Sequence, residues 1–193
     1  AFILEISCRI SYIKCFISYR FCKDRRVVIV KQKSLHEIVL DEYNKFKRKY
    51  HIKTFPQPHD VFAVISTESA WNPTADSKYA RGLMQVSNPA LRTINWLYNT
   101  KFSYDDMFDP AKNAFIGIRY LRYLYRVFKQ ANSAGITNLV IMSYNWGQGN
   151  VLQWLSMKKP DNSVIDEQVP QETKIHLFDF IFWREYWNRE LKL

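Results

Sequence analysis

The pattern of apolar and polar positions becomes helical at Ser34 and stays helical along most of the remaining chain. Ser34 and Glu37 have the capping-box spacing, in which the serine oxygen accepts from an early backbone N–H and the glutamate reaches back. The apolar positions that follow share one helix face: Leu35, Ile38, Val39, Tyr43, Phe46 and Tyr50. Pro56 and Pro58 end this segment, and a second helix is predicted to start near Asp60.

Asp109 and Pro110 mark the start of a long helix in the second half of the chain. An aspartate N-cap followed by proline at the first helical position is a strong start signal. The helix is predicted to run to about Gln130. Its basic residues stand away from the apolar stripe and are interpreted as a solvated face rather than a binding site: Arg119, Arg122, Arg126 and Lys129.

Two further helical segments and the scarcity of glycine define the fold class. Residues 139–155 predict a helix that meets Gly147 and Gly149 and then resumes, and residues 171–193 predict a strongly aromatic helix. Sustained strand alternation is missing from the sequence, which has only 5 glycines. The predicted fold class is therefore all-α, or α+β at most, with a short hairpin or loop around residues 76–86.

The first 33 residues differ in character from the rest of the chain. They are rich in Ile, Phe and Tyr, but charged residues interrupt the apolar run: Glu5, Arg9, Lys14 and Arg20. A clean membrane span or signal peptide is therefore disfavoured. We expect residues 1–33 to be a degenerate leader, a truncated anchor, or a strand or amphipathic helix lying on a membrane surface, with a solvated basic linker equally open. Residues 34–193 are expected to form a separate domain.

Composition narrows the classes of partner and cofactor. A hydrophobic fraction of 47% and an aromatic fraction of 16% are sufficient for a folded core. The net charge of +10 favours polyanionic surroundings such as nucleic acid, acidic lipid or an anionic wall polymer. Because nucleic-acid motifs are missing from the sequence, no nucleic-acid partner is expected. The cysteines lie within the first 33 residues and the four histidines are scattered, so we expect neither a metal site nor a cofactor.

One glutamate, Glu68, stands at the end of an apolar helical run. It lies four residues beyond Val64 and three beyond Ile65, so it shares their helix face. Apolar surroundings penalise the charged form of a carboxyl group, which favours a general acid. This signal alone is weak, because many helices carry a half-buried glutamate.

Five short motifs follow one another between residues 60 and 187. They are ESAWNP (68–73), GLMQV (82–86), DPAKNAFIGIRYLRYLY (109–125), SYNWGQGNV (143–151) and VPQETKIHL (169–177). In this order they resemble the motifs of the soluble lytic transglycosylase family, whose catalytic domain is lysozyme-like. The resemblance implies a lysozyme-like helical lobe and makes residues 34–193 the catalytic domain.

The resemblance also implies a reaction, the cleavage of peptidoglycan glycan strands between N-acetylmuramic acid and N-acetylglucosamine without water. Glu68 would be the single catalytic acid and base, and the product would carry a 1,6-anhydro ring. Most glycosidases instead place two carboxylates across the bond. The nearby Asp76 is interpreted as a turn residue. The implied location is the bacterial cell envelope, either periplasmic or membrane-associated.

The remaining site residues are carried over from the same motifs. Ser77 and Gln85 would contact the acetamido groups of the sugars. Tyr144 would hydrogen-bond the catalytic carboxylate, and Asn145 would line the same cleft. Glu172 would sit near the floor of the groove.

The chain departs from the family pattern at several positions. Ser87 stands where the family often has methionine, and Ser143 where it usually has alanine. In the closing motif, Lys174 replaces arginine and His176 replaces tyrosine. Because His176 stands alone on an aromatic helix, it is predicted to be a packed or hydrogen-bonded residue rather than a ligand.

Three other functions stay open at this point. A goose-type lysozyme, which hydrolyses the same bond, shares a lone glutamate followed by GLMQ, and its products would end in reducing muramic acid. A non-catalytic wall-binding or assembly protein with this fold would have no need for the combination of Glu68, Tyr144 and Asn145. A membrane-surface or nucleic-acid binder is supported by the charge alone.

Overall fold

The computed structural model describes residues 17–20, 28–31, 33–130, 135–157 and 167–191. Most of the leader, anchor or membrane-surface segment predicted for residues 1–33 lies outside the described residues. Within it, strand β1 (Ile17–Arg20) pairs with strand β2 (Val28–Lys31) in an antiparallel hairpin. The hairpin agrees with the strand that the sequence left open for this segment, and its place on a membrane surface stays a prediction.

Helix α1 (Leu35–Tyr50) begins at the predicted capping box. The backbone N–H of Ser34 donates to the Glu37 carboxylate at 2.7 Å, and the N–H of Glu37 donates to Ser34 Oγ at 3.2 Å. Two of the four orphan donors of the helix start are therefore satisfied. The apolar stripe of α1 buries Val39, Tyr43 and Phe46 in the core.

Helix α2 (Pro58–Ser69) is the central helix of the lobe and packs mainly against the last helix, α7 (Gln171–Glu190). It starts two residues earlier than predicted, because Gln57 takes the N-cap position and Pro58 fits the first turn. Asp60 belongs to this cap, since its carboxylate accepts from the N–H of Gln57 at 2.7 Å. The consecutive residues from 61 to 66 are buried, so α2 is enclosed on all sides.

The segment after α2 forms the predicted hairpin. Strands β3 (Ala80–Arg81) and β4 (Val86–Ser87) pair antiparallel and confirm the hairpin around residues 76–86. Helix α3 (Asn88–Tyr98) follows directly, and a 3-10 turn (Asp105–Phe108) leads to the next helix. Ser87, which departs from the family pattern, caps α3 by accepting from the N–H of Ala90.

The second half of the chain confirms the predicted helices. Helix α4 (Pro110–Gln130) begins at its proline and packs against α1, α3 and the following helix. Helices α5 (Ile136–Trp146) and α6 (Gln148–Met157) are separated at Gly147, whose φ of 95° interrupts helical geometry. The described residues form a helical lobe with two small hairpins, so the predicted fold class is confirmed.

One residue of the predicted solvated basic face lies in the core. Arg119 is 4% exposed, and its guanidinium carbon lies 3.4 Å from the ring centroid of Phe115. Its Nη1 donates to the carbonyl of Phe115 at 2.9 Å, and burial lowers the pKa of Arg119 below its usual range. The prediction was wrong here because α1 packs on this face of α4 and brings Phe46 to the guanidinium. Arg126 and Lys129 are exposed as predicted.

The described helices also bear on the question of a membrane span. Among them, none combines the length and the apolar character needed to cross a bilayer.

Candidate active site

Glu68 is the penultimate residue of α2 and lies at the end of the buried helix. Val64 and Ile65, one turn earlier, are fully buried, and the Glu68 side chain is 15% exposed. The Glu68 carboxylate therefore lies where the buried helix reaches the protein surface, on the same face as Val64 and Ile65, as the helical spacing predicts.

The backbone turns sharply directly after Glu68. Ala70 and Trp71 have φ values of 49° and 67°, in the left-handed region that side chains other than glycine disfavour. Packing on Trp71 compensates: its indole stacks on His36 with centroids 4.0 Å apart, and its Nε1 donates to Ser66 Oγ at 3.0 Å. Backbone strain of this kind persists where surrounding contacts over-determine it. The ESAWNP motif therefore ends α2 abruptly and holds Glu68 at the turn.

His176 of α7 is the hydrogen-bond partner of Glu68. Its Nε2 lies 2.8 Å from Glu68 Oε1, and the imidazole is 10% exposed. The prediction of a packed or hydrogen-bonded histidine is confirmed, but the sequence did not identify Glu68 as its partner. The signal that could have found this contact is the place of His176 in the closing motif, because the tyrosine of the family also ends in a hydrogen-bonding group.

The glycine turn between β3 and β4 is clamped to α4 by Asn113, which is 0% exposed. Asn113 Oδ1 accepts from the N–H of Met84 at 2.8 Å, and its Nδ2 donates to the carbonyls of Arg81 and Met107, both at 2.8 Å. Gly82 has a φ of 74°, and a Cβ atom there would lie 2.0 Å from the Met107 carbonyl oxygen. Only glycine meets both requirements.

The same turn is tied to the helix that carries Glu68. Ser69 Oγ donates to the carbonyl of Leu83 at 2.7 Å. On the α4 side, a Cβ atom at Gly117 would lie 2.3 Å from Met84 Sδ, so glycine lets the turn approach closely. The GLMQ turn is therefore fixed against both α2 and α4.

Tyr144 of α5 bonds to the turn and not to the carboxylate. Its hydroxyl donates to the carbonyl of Met84 at 2.7 Å, which corrects the predicted hydrogen bond to Glu68. A buried backbone carbonyl requires a donor, and Tyr144 supplies it. Burial, and then the charges of Glu68 and Tyr120, raise the pKa of Tyr144 well above its usual value. Tyr144 is therefore near enough to sense the charge on Glu68 and keeps its proton.

Ser77 and Gln85 both brace the loop that leads into the turn. Ser77 is exposed, and its Oγ accepts from the N–H of Ala80 at 3.0 Å. Gln85 Nε2 donates to the carbonyls of Ala75 and Gly82, at 3.2 and 3.0 Å. Their polar groups thus hold the loop in shape, and contacts with sugar acetamido groups stay a prediction for these two residues.

In the closing motif, Thr173, which follows the predicted site residue Glu172, forms a hydrogen bond to α5. Thr173, 2% exposed, donates from its Oγ1 to Asn145 Oδ1 at 2.8 Å. Glu172 is exposed in the first turn of α7, and its place near the floor of the groove stays a prediction. It precedes His176 by four residues and therefore lies on the same helix face. The buried position at this point belongs to Thr173.

Asp76, the acidic residue in the loop after α2, forms an ion pair with Arg81. Asp76 accepts from Arg81 Nε at 3.1 Å, and Arg81 Nη1 also donates to Asp105 at 2.7 Å. Asp76 also forms an isolated β-bridge with Arg81, and its interpretation as a turn residue stays a prediction. A cavity of about 650 Å³ lies at the C-terminal turns of α1, α3 and α4, beside Tyr50 and Arg126, and none of the predicted site residues lines it.

The chain is similar in sequence to known murein transglycosylases. The soluble lytic murein transglycosylase of Escherichia coli (strain K12) is 32% identical over 151 residues, which are 74% of this chain and 22% of that protein. Membrane-bound lytic murein transglycosylase C of Edwardsiella ictaluri is 34% identical over 105 residues, covering 51% of this chain and 29% of the relative. The chain thus spans less than a third of the length of these relatives.

The fold agrees with a solved structure. The crystal structure of the 70 kDa soluble lytic transglycosylase from Escherichia coli superimposes with a TM-score of 0.61 and 31% identity, covering 77% of this chain and 24% of that one. The predicted lysozyme-like helical lobe is confirmed by this likeness. The family described as "Transglycosylase SLT domain" matches residues 46–164, a span that contains Glu68, the glycine turn and Tyr144. The chain therefore belongs to the transglycosylase SLT domain family.

Proposed function

We propose that this chain is the catalytic part of a peptidoglycan lytic transglycosylase and that Glu68 is its single acid and base. The observation that carries the proposal is the position of Glu68, mostly buried at the end of α2 beside the clamped glycine turn. The sequence offered two other acids. Asp76 is paired with Arg81, and Glu172 is exposed in the first turn of α7. The names of the relatives, murein transglycosylases, support the same substrate class.

The first step breaks the bond between the two sugars. Glu68, protonated, donates its proton to the glycosidic oxygen, and the bond from that oxygen to muramyl C1 breaks. The leaving N-acetylglucosamine takes the proton as its hydroxyl. The carbonyl oxygen of the muramyl N-acetyl group attacks C1, so the substrate itself takes the place of a carboxylate nucleophile.

The second step closes the anhydro ring and restores the enzyme. Glu68, now a carboxylate, removes the proton from the muramyl C6 hydroxyl, and that oxygen attacks C1 as the acetamido oxygen leaves. Glu68 ends protonated, as it began, and no water is consumed. A single carboxyl that serves first as acid and then as base must contact both oxygens in turn. A carboxylate fixed at the end of a rigid helix meets this requirement.

Digestion of purified peptidoglycan by the purified chain tests this function. Soluble muropeptides should be released in proportion to enzyme and time, because cleavage of glycan strands frees fragments of the wall. Binding to the wall without release would contradict the proposal and favour the non-catalytic alternative.

We also propose that the protein works in the bacterial cell envelope and that residues 1–33 bring it to an anionic membrane surface. The relatives include soluble and membrane-bound enzymes, and the segment combines aromatic and branched apolar residues with a basic cluster. Basic residues close to an acidic bilayer each contribute about 1 kcal/mol of attraction.

A chain shortened to residues 33–193 should keep its activity on isolated peptidoglycan and lose affinity for acidic lipid vesicles. The reason is that the capping box of α1 and the contacts of Glu68 described above lie after residue 33. Sedimentation with acidic vesicles, with neutral vesicles as control, measures the binding. A melting temperature several degrees lower in the short chain, together with no vesicle binding by the full chain, would instead mean that the segment packs into the lobe.

A further inference from the structure

His176 forms a hydrogen bond with one oxygen of the Glu68 carboxylate, Oε1, and none with the other, Oε2. His176 Nε2 lies 2.8 Å from Glu68 Oε1, with the two residues 108 positions apart on α2 and α7. We propose that His176 is a positioning residue that binds Oε1 of Glu68 through its Nε2–H and thereby directs Oε2, with the acid proton, toward the substrate. This inference rests on the proposed function of Glu68 but concerns a residue that the proposed reaction does not use.

The surroundings of the second ring nitrogen decide which form of the imidazole fits. His176 Nδ1 is buried and has no hydrogen-bond partner among the described residues. An imidazolium, or the neutral form protonated on Nδ1, would bury an N–H donor without an acceptor, which is costly. The neutral form protonated on Nε2 leaves only a lone pair at Nδ1 and places its one N–H on Glu68. The geometry therefore favours a neutral His176 that donates to the carboxyl group.

This form of His176 serves both steps of the proposed reaction. When Glu68 is protonated on Oε2, Oε1 is the carbonyl oxygen and accepts the Nε2–H. After the proton leaves, the same Nε2–H stabilises the carboxylate. The His176 Nε2–H therefore stays on Oε1 in both steps, and Oε2 is the oxygen that gives and takes the proton.

A pair of tyrosines adjoins the Glu68 site. Tyr144 of α5 lies near enough to Glu68 for the carboxylate charge to act on it, and Tyr120 of α4 lies beside Tyr144 with the two ring centroids 5.7 Å apart. On α7, Glu172 lies one turn before His176 and is exposed. Burial raises the pKa of Tyr120 to about 12, and the pKa of Tyr144 is raised well above its usual value, so both hydroxyls keep their protons at neutral pH. Neither tyrosine therefore exchanges a proton with Glu68 in the proposed reaction.

The test compares His176→Phe with His176→Gln. Phenylalanine keeps a planar ring but has no donor, whereas glutamine offers an N–H at about the distance of Nε2. For His176→Phe, kcat should fall about tenfold to a hundredfold with KM little changed, because the carboxyl group is no longer oriented. The alkaline limb of its activity profile should move to higher pH, because the carboxylate loses a stabilising donor. His176→Gln should keep most of the wild-type kcat and an unshifted alkaline limb.

Two kinetic outcomes would overturn the proposal. If both variants lose activity equally and in parallel with melting temperature, His176 has only a structural role. If the alkaline limb of His176→Gln moves to higher pH, a positive charge has been lost from beside Glu68, and the wild-type histidine is an imidazolium rather than a neutral donor.

A spectroscopic measurement on the full chain separates this proposal from the proposed function. With ¹⁵N-labelled histidine, the His176 ring, assigned by its loss in His176→Gln, should be neutral and protonated on Nε2 at pH 7. Its Nε2–H signal should move in Glu68→Gln. An imidazolium, or a ring protonated on Nδ1, would overturn the proposal whether or not the protein cleaves peptidoglycan.

Discussion

Glutamine in place of Glu68 should abolish glycan cleavage and leave the fold intact. The amide has the shape of the carboxyl group and its oxygen still accepts from His176, but it can neither give nor take the proton. General acid and base catalysis contribute about a hundredfold to ten-thousandfold each, so the loss should exceed a hundredfold. Release of soluble muropeptides from purified peptidoglycan measures the activity, and a thermal melt measures the fold.

The matched control for this variant is Glu185→Gln, the same change at an exposed position of α7. It should behave as the wild type in both measurements. More than a few per cent of wild-type activity in Glu68→Gln would contradict the assignment of Glu68 as the acid and base.

Alanine in place of Asn113 is expected to destabilise the protein by about 3 kcal/mol. The change removes three hydrogen bonds and leaves the buried N–H of Met84 and the carbonyls of Arg81 and Met107 without their partner. Each unsatisfied buried group costs about 1–3 kcal/mol, and the turn relaxes to recover part of that. The melting temperature should fall by roughly 10 °C for a domain of this size. Cleavage should fall as well, because the glycine turn is fixed beside Glu68 by this side chain.

Asn188→Ala, at an exposed position of α7, is the control for the loss of an asparagine. Its melting temperature should change by no more than a degree or two. A melting temperature of Asn113→Ala equal to that of this control would mean that the clamp does not stabilise the turn.

Local signals were sufficient to predict most of the helices. Ser34 with Glu37, and Asp109 with Pro110, start their helices at the expected residues because capping depends on neighbours within one turn. Gly147 interrupts the helix where the pattern indicated. A strand before α1 was one alternative among several, since pairing between four-residue segments depends on partners rather than on periodicity.

The buried arginine shows the limit of a pattern read from one helix. Arg119 stands on the polar side of α4 by periodicity, but a helix packed on several neighbours buries more than one stripe. The aromatic rings around its guanidinium come from α1 and α4 together. Which helix covers that face is a property of the tertiary structure.

The candidate site was predictable in position but not in its contacts. The spacing of Val64, Ile65 and Glu68 places the carboxylate correctly, because it depends on a single helix. The partner of Glu68 is 108 residues away, and Tyr144 bonds to a backbone carbonyl 60 residues away. Contacts at such separations are set by how α2, α5 and α7 pack, so the motif alone assigned Tyr144 to the wrong acceptor and left His176 without a role.

The most direct measurement is mass spectrometry of the muropeptides that the wild-type chain releases from purified peptidoglycan. We expect muramyl ends that carry the 1,6-anhydro ring and are lighter by one water than the hydrolysed form, because Glu68 as a base takes its proton from the C6 hydroxyl. Reducing muramic acid ends would contradict the proposed function and would make the chain a hydrolase of the lysozyme kind.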